Sequence, residues 1–422
     1  MLYTQKTAMG KKENYKNLIL STFYFSGKQS CADISDSIGK SLPLTMSLLT
    51  QLIDEGYVSE SGYAPSSGGR RPITYSLNAD MIYIMSVAMD QLVTRITIMN
   101  GRNEFVIPVA KYELPLNNNT NALSQLAVYM EQTITQSGID RKKIVGAGIG
   151  MPGFIDPEKG INYSFLNAGN ALSITQFLQD RLKMPIYIDN DSSLIALAEY
   201  RFGSAKMHKN VMVVNIGWGV GLGMILNGSL FRGTNGFAGE FSHIPFFNNN
   251  KLCSCGKSGC LETETSLKAI IEKIADSLKT GRASLLSKHF PTGHEENDWQ
   301  EIVAAALKGD KLAIEILSNT GYEFGRAVAI LIHLLNPETV ILSGRGALAG
   351  KVWQAPVQQA LNEHCIPRLA ANTTLGISTL GYDAELIGSA ALVMENKLKG
   401  SHIHTGPEKP SRRHLKKTKS HK

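Results

Sequence analysis

Cysteine is scarce in this chain, with five among 422 residues. That scarcity excludes a small secreted scaffold held by disulfides. No apolar run reaches the roughly 18–20 residues that span a bilayer, so a membrane-embedded protein is not expected. The N-terminus, MLYTQKTAMGKKENYK, has no apolar core after its lysines and lacks the form of a secretory signal. The expected location is the cytoplasm, where thiols stay reduced. Acid is nearly missing from the far end, where Lys397 to Lys422 carry nine Lys/Arg and one Glu. This surplus of +8 exceeds the net charge of +7, which leaves the rest of the chain near −1. The basic balance is therefore a property of one tail. With few apolar residues, positions 396–422 are expected to be disordered. They read as a solvated tail that can also touch DNA phosphates without sequence preference.

What remains is ordinary for a globular protein, 43% hydrophobic and 19% charged, and too long for one domain. No internal repeat of 20–50 residues is visible. Residues 1–80 form a first unit. In ENYKNLILSTFYFSG, Tyr15, Leu18, Ile19, Thr22 and Phe23 recur at helical spacing before Gly27. SCADISDSIG reads as a short helix capped by Ser30, and SLPLTMSLLTQLIDEGYV as a third helix ending at Gly56. Helix, short helix, Gly turn, helix is the form of a helix-turn-helix, here followed by a strand–loop–strand wing. On the third helix, Leu44, Leu48, Leu49, Leu52 and Ile53 are the expected buried face. Ser41, Thr45, Ser47 and Thr50 are the expected DNA-facing side, with short hydroxyls for base edges or phosphates. Arg70 and Arg71 sit at the wing tip beside Gly68 and Gly69, where arginine suits a minor groove or phosphates.

Residues 81–395 alternate β-rich runs, Gly turns and helical stretches, which argues an α/β architecture. YIMSVAMD, TRITIM and FVIPVAKYELP read as consecutive strands. In MPIYIDNDSSLIALAEYRFGSA a strand ends at Asp189, Asn190 and Asp191 before a helix. Ligands of open α/β sheets bind at strand C-terminal ends. Asp191 is thus a candidate proton acceptor or hydroxyl ligand, or equally a helix N-cap. GTNGFAGEFSHIPF adds Glu240 and His243, and GCLET adds Glu262. Converging acids and amides suit a polyhydroxylated ligand, since each hydroxyl both donates and accepts.

Three of the five cysteines lie within eight residues, Cys253, Cys255 and Cys260, with His243 ten residues before the first. Three thiolates and one imidazole are the ligand set of a closed structural zinc site. A disulfide is the alternative, but Cys253 and Cys255 are too close in sequence to pair comfortably. Cys31 and Cys365 read as buried small hydrophobes.

Together GFAGEFSHI, CSCGKSGCLE, IDNDSSLIALAEYRFG, GWGVGLGMILNGSLFRG and VILSGRGALAG resemble the ROK family of repressors and sugar kinases, over about residues 12–395. The resemblance implies an N-terminal winged helix-turn-helix plus a two-lobed α/β domain of the actin-like, sugar-kinase and heat-shock-ATPase fold. It implies sugar contacts at Gly153, Asn170, Asn190, Asp191, Glu240, His243 and Glu262, with Asp191 at the position of the kinases' catalytic base. Kinase members carry an Asp-x-Gly-Gly-Thr phosphate turn. Here Ala88 stands for its Asp, Asp90 and Gln91 for its glycines and Leu92 for its Thr, while Trp218 stands for a Thr in the second phosphate turn. Bulk and negative charge there oppose a nucleotide phosphate. The resemblance therefore implies a sugar- or sugar-phosphate-responsive repressor that binds operator DNA as a homodimer or higher homo-oligomer. A sugar kinase using Asp191 as base, and a factor that docks a transport protein, stay open at this point.

Overall fold

This computed structural model describes residues 2–64, 71–166, 168, 173–286 and 289–399. Caps and glycines shape the N-terminal unit. Helix α1, Leu2–Ser26, stops at Gly27, and strand β1, Gln29–Ser30, leads into α2, Cys31–Ile38. Ser30 Oγ accepts from the Asp33 N–H while Asp33 accepts from the Ser30 N–H, a reciprocal capping box. Gly39 takes the left-handed φ of 61° that ends α2 and turns the chain into α3, Leu42–Asp54. Strands β2, Val58–Tyr63, and β3, Ile73–Leu77, pair antiparallel, and β1 adds to the other edge of β3. The loop between β2 and β3, with Arg70, lies outside the described residues; Arg71 at its end is exposed.

Helix α3 buries Leu48, Leu49 and Leu52 and exposes Ser41, Leu42, Met46, Ser47 and Thr50. Thr45 departs from expectation. It is fully buried, its hydroxyl donating to the Ser41 carbonyl at 3.1 Å, so it cannot reach a groove. The reason is periodicity: 45, 48, 49 and 52 are one i, i+3, i+4, i+7 stripe.

The larger part builds one topology twice. Strands β4, Tyr83–Met89, β5, Val93–Asn100, and β6, Ala110–Glu113, form an antiparallel meander. Helix α4, Ala122–Ser137, leads to β7, Ile144–Met151, and a small hairpin of β8, Ile155–Asp156, and β9, Ile161–Asn162, follows. Helix α5, Ile174–Leu182, precedes β10, Ile186–Asn190, and the sheet order is β10-β7-β4-β5-β6 with β7 and β10 parallel to β4. Of FVIPVAKYELP only Ala110–Glu113 is a strand, since Pro108 has no N–H for a ladder.

After α6, Asp191–Arg201, a second meander forms from β11, Val211–Ile216, β12, Val220–Leu226, and β13, Ser229–Leu230. Helices α7, Glu262–Thr265, α8, Leu267–Lys279, α9, Glu295–Leu307, and α10, Lys311–Leu335, precede β14, Thr339–Ser343. Helices α11, Gly350–His364, and α12, Pro367–Ala370, precede β15, Thr374–Ile377, and α13, Ala384–Lys399, closes the described chain. The order β13-β12-β11-β14-β15 repeats that of the first sheet. The repeated unit is a whole lobe, which is why no short period appears in the sequence. Among the described residues no helix is long and apolar enough to cross a membrane.

Helices α6 and α13 cross between the lobes. Leu194–Glu199 of α6 are buried on every side. Glycines permit the approach: a Cβ on Gly388 of α13 would lie 2.0 Å from the Leu194 carbonyl, and one on Gly148 of β7 would lie 1.9 Å from that of Ser389. The N-terminal unit sits on the far ends of the same helices. Ser21 Oγ donates to the Met394 carbonyl at 3.2 Å, Tyr24 and Phe25 pack on Phe202, and Arg201 covers Phe25 while pairing with Glu395. Ile19, Phe23 and Leu48 share one apolar cluster with Ile195, Ala390 and Val393.

Gly388→Ala is expected to lower stability by about 1–3 kcal/mol, because backbone must move to admit the methyl group. A chemical denaturation midpoint equal to the parent's would refute that packing account.

Candidate functional site

The cleft between the lobes is lined by the ends of β7, β10 and the loops after β12. Asn190 is the N-cap of α6: its side-chain oxygen accepts from the Ser192 and Ser193 amides at 3.0 and 3.2 Å. Its amide nitrogen donates to the Gly153 carbonyl at 3.3 Å. Gly153 needs a φ of 92°, and a Cβ there would collide with Ser164 at 2.5 Å. With capping assigned to Asn190, Asp191 is released for other work. Its Oδ1 accepts from the Ser192 amide and hydroxyl at 2.7 and 3.1 Å, and among the described residues nothing donates to Oδ2. Burial pushes the Asp191 carboxyl up to about 6, against the lowering pull of the Ser192 hydrogen bonds and with help from Glu240 and Asp90.

The loop after β13 brings the other acids. Glu240 Oε2 lies 3.7 Å from His243 Nε2. Its carboxyl is raised first by burial and then by Glu262, against the pull of His243. Glu262, at the start of α7, accepts from the Val220 N–H at 3.1 Å. Gly153, Asn190, Asp191, Glu240, His243 and Glu262 thus gather around one cleft; Asn170 lies outside the described residues. One clamp escaped the sequence reading. Arg232 donates through Nε and Nη2 to Asp189 Oδ2, while Asp189 Oδ1 accepts from the Asn190 N–H at 2.9 Å. The buried ion pair fixes the strand end that presents Asn190 and Asp191. Its only signal was a buried-looking acid in DND with a distant arginine in LFRG.

The cysteine loop abuts this cleft. Bridges Pro245↔Cys260 and Leu252↔Ser258 fold it on itself. Gly259, at φ 72°, lets the turn close, since a Cβ would meet the Phe247 carbonyl at 2.0 Å. One ligand atom each from His243, Cys253, Cys255 and Cys260 falls within 4.8 Å of the others. The Cys253 Sγ to His243 Nδ1 distance is 3.5 Å and Cys255 Sγ to Cys260 Sγ is 3.6 Å. A tetrahedron with metal–sulfur bonds of ~2.3 Å has edges of ~3.7 Å, so the set fits a zinc-sized cation. It does not fit a disulfide, and all five cysteines are free. His243 faces the cysteines with Nδ1 and the cleft with Nε2. The other two thiols, Cys31 and Cys365, are buried in apolar surroundings.

The ROK family profile matches residues 96–396. The chain belongs to the ROK family. A xylose repressor of Caldicellulosiruptor bescii is 28% identical over 392 residues, covering 92% of this chain and 97% of the relative. A glucokinase of Halalkalibacterium halodurans is 30% identical over 294 residues, 68% of this chain and 89% of its own. The full-length likeness thus includes the N-terminal unit, and the likeness to the kinase does not span the whole chain. Among solved structures, a ROK family transcriptional regulator described as a homologue of the E. coli MLC protein superposes with a TM-score of 0.76 over 92% of this chain and 97% of its own, at 24% identity. That match carries the two-lobed fold.

Two outcomes follow from this geometry. Protein purified without chelator is expected to hold one zinc per chain by elemental analysis, and Cys255→Ser to lose it; metal-free parent protein would refute the site. The second concerns Asp191. A carboxyl raised from 3.8 to about 6 binds its proton more tightly in the folded state. Stability therefore falls as pH rises from about 4 through 6, and the penalty persists above. Asp191→Asn should be more stable than the parent at pH 8, by roughly 1–2 kcal/mol after allowing for partial exposure, and equal to it below pH 4. Thermal melts at both pH values check the crossover.

Proposed function

We propose that this protein is a sugar-responsive transcriptional repressor. The observation that carries the reading is the placement of α6. It begins at Asp191 in the cleft and ends at Arg201 and Phe202 against α1. A ligand that changes the lobe angle must move the N-terminal unit, because both share one core. Repressor relatives of full length support the same reading. A ligand drives such a change only by binding one arrangement better than the other.

In this reading the three helices and the β2–β3 hairpin form a winged helix-turn-helix. Ser41, Ser47 and Thr50 face the DNA with Leu42 and Met46, whose exposed apolar side chains suit thymine methyl groups. Arg70 and Arg71 reach phosphates or a minor groove from the wing. Two copies of the chain bind a two-fold-symmetric operator in the cytoplasm. The sugar contacts are Gly153, Asn170, Asn190, Asp191, Glu240, His243 and Glu262. Zinc at His243, Cys253, Cys255 and Cys260 is structural: it pins the loop that presents His243 to the cleft and anchors the start of α7. The retained Asp191 and the glucokinase relative keep a kinase as the second reading. A coupled phosphoryl-transfer assay over hexoses, pentoses and N-acetyl amino sugars separates them, with no turnover expected.

The test uses the full chain, since removing α1 would uncover the core on α6 and α13. Genomic fragments retained by the protein should share a two-fold-symmetric sequence and be released by one member of that sugar panel. Arg70→Ala with Arg71→Ala should weaken binding and flatten the log–log salt slope by about one to two. Asp191→Asn should weaken sugar release about tenfold or more, as one charge-assisted hydrogen bond is worth ~1.5–3 kcal/mol. Unchanged DNA binding in the double arginine variant would overturn the wing assignment.

A further inference from the structure

The cleft has a second end, and the chain fills it with its own side chains. Two turns there correspond to the kinases' phosphate turns, the one after β4 and the one between β11 and β12. In the first, Asp90 Oδ1 accepts from the Leu92 and Val93 N–H groups at 2.8 and 2.7 Å. Those are the backbone donors that a phosphate oxygen would seek. In the second, the Val220 N–H is taken by Glu262. Carboxylates of the chain thus stand where phosphate oxygens would stand.

The other oxygen of Asp90 meets Arg345 from the opposite lobe. Arg345 follows β14, and its Nη2 lies 2.7 Å from Asp90 Oδ2. Its Nε donates to Glu296 at 2.9 Å and Nη2 also donates to the Tyr382 hydroxyl. The guanidinium carbon lies 4.9 Å from the Trp218 ring centre and 4.2 Å from that of Tyr382. The side chain is 12% exposed. Asp90 and Trp218, one departure from the kinase pattern in each turn, therefore converge on one arginine. A second arginine, Arg95, lies against the same Tyr382 ring at 3.4 Å and faces Asp383 and Glu385, each at 3.6 Å.

We propose that Arg345 is a built-in plug that ties the lobes through Asp90, fills the phosphate end of the cleft and restricts the ligand to an uncharged sugar. This rests on the sugar reading above. A phosphate on a sugar held at Asp191 would meet Asp90, Glu240 and Glu262, all carboxylates. The Leu92, Val93 and Val220 amides are already taken by carboxylates of the chain. Of the two cations nearby, Arg345 is hydrogen-bonded to Asp90 and Glu296, and Arg95 is buried under the Tyr382 ring with Asp383 and Glu385 each 3.6 Å away. Like charges and missing donors reject a ligand more sharply than a lost contact does. A nucleotide meets the same obstacles with more charge. The plug is also a charged bridge from one lobe to the other.

The experiment has one arm with ligands and one without. Melting of the full-length parent is followed with D-xylose, D-glucose and N-acetylglucosamine, with glucose 6-phosphate and N-acetylglucosamine 6-phosphate, and with magnesium AMPPNP. A free sugar should stabilise at concentrations at least tenfold below any phosphorylated sugar, and AMPPNP should produce no shift. A phosphorylated sugar binding as well as or better than every free one, or stabilisation by AMPPNP, overturns the proposal. Without ligand, Asp90→Asn, Arg345→Met and the double variant form a cycle of melting temperatures. Non-additive shifts support the tie, and additive shifts overturn it. Should Arg345→Met not fold, the neutral Arg345→Gln replaces it in the cycle, with the same two outcomes. If no compound shifts the parent while the cycle is coupled, the tie stands and the sugar reading falls.

Discussion

Everything in this molecule hangs on the closeness of α6 to α13. Two helices can approach to backbone contact only where one lacks a side chain, and Gly388 provides that against Leu194. Their crossing closes the space between two sheets of the same topology and leaves four helix ends with defined duties. The start of α6 presents Asp191 to the cleft. Glu385, near the start of α13, is buried against the β4 turn, where it accepts from the Met89 N–H at 3.2 Å. Desolvation pushes its carboxyl up to about 8. The far ends carry Arg201, Phe202, Met394 and Glu395, on which the N-terminal unit rests.

The cleft itself is an electrostatic compromise. Asp191, Glu240, Glu262 and Asp90 crowd a small region; Glu240 and Asp90 raise the proton affinity of Asp191, and Glu262 raises that of Glu240. Ion pairs across the molecule offset the repulsion, Arg232 on Asp189 and Arg345 on Asp90. In the proposed reading a hydroxyl-rich ligand would complete the arrangement by donating to oxygens that the protein leaves open. The cysteine loop contributes from the side: it aims one imidazole nitrogen at the thiols and the other at the acids, so a metal bound there would also set a wall of the cleft.

Much of this was legible in the sequence, for reasons of distance along the chain. The metal set is local, three cysteines and a histidine within eighteen residues, and chemistry leaves few other uses for it. Helix caps and Gly turns are local too: Ser30 and Gly39 act where their types predict, whereas the cap of α6 is Asn190 and not Asp191. Thr45 was misread because its hydroxyl was weighed above its place in the 45–48–49–52 stripe. The Asp90–Arg345 pair, 255 residues apart, carries no local pattern at all. Its two ends are brought together by the packing of whole lobes, so the sequence could show that Asp90 obstructs a phosphate but not what answers it.

The shared core beneath α1 bears on how such a chain can be built or rebuilt. A DNA-reading segment joined by a free tether is a cassette, exchangeable as long as the tether reaches. Here Tyr24, Phe25 and Ser21 fit sockets formed by Phe202, Arg201 and Met394 on the other part of the molecule. Exchange at this boundary would have to carry the sockets with it, so the first eighty residues and the last helix are bound to change together.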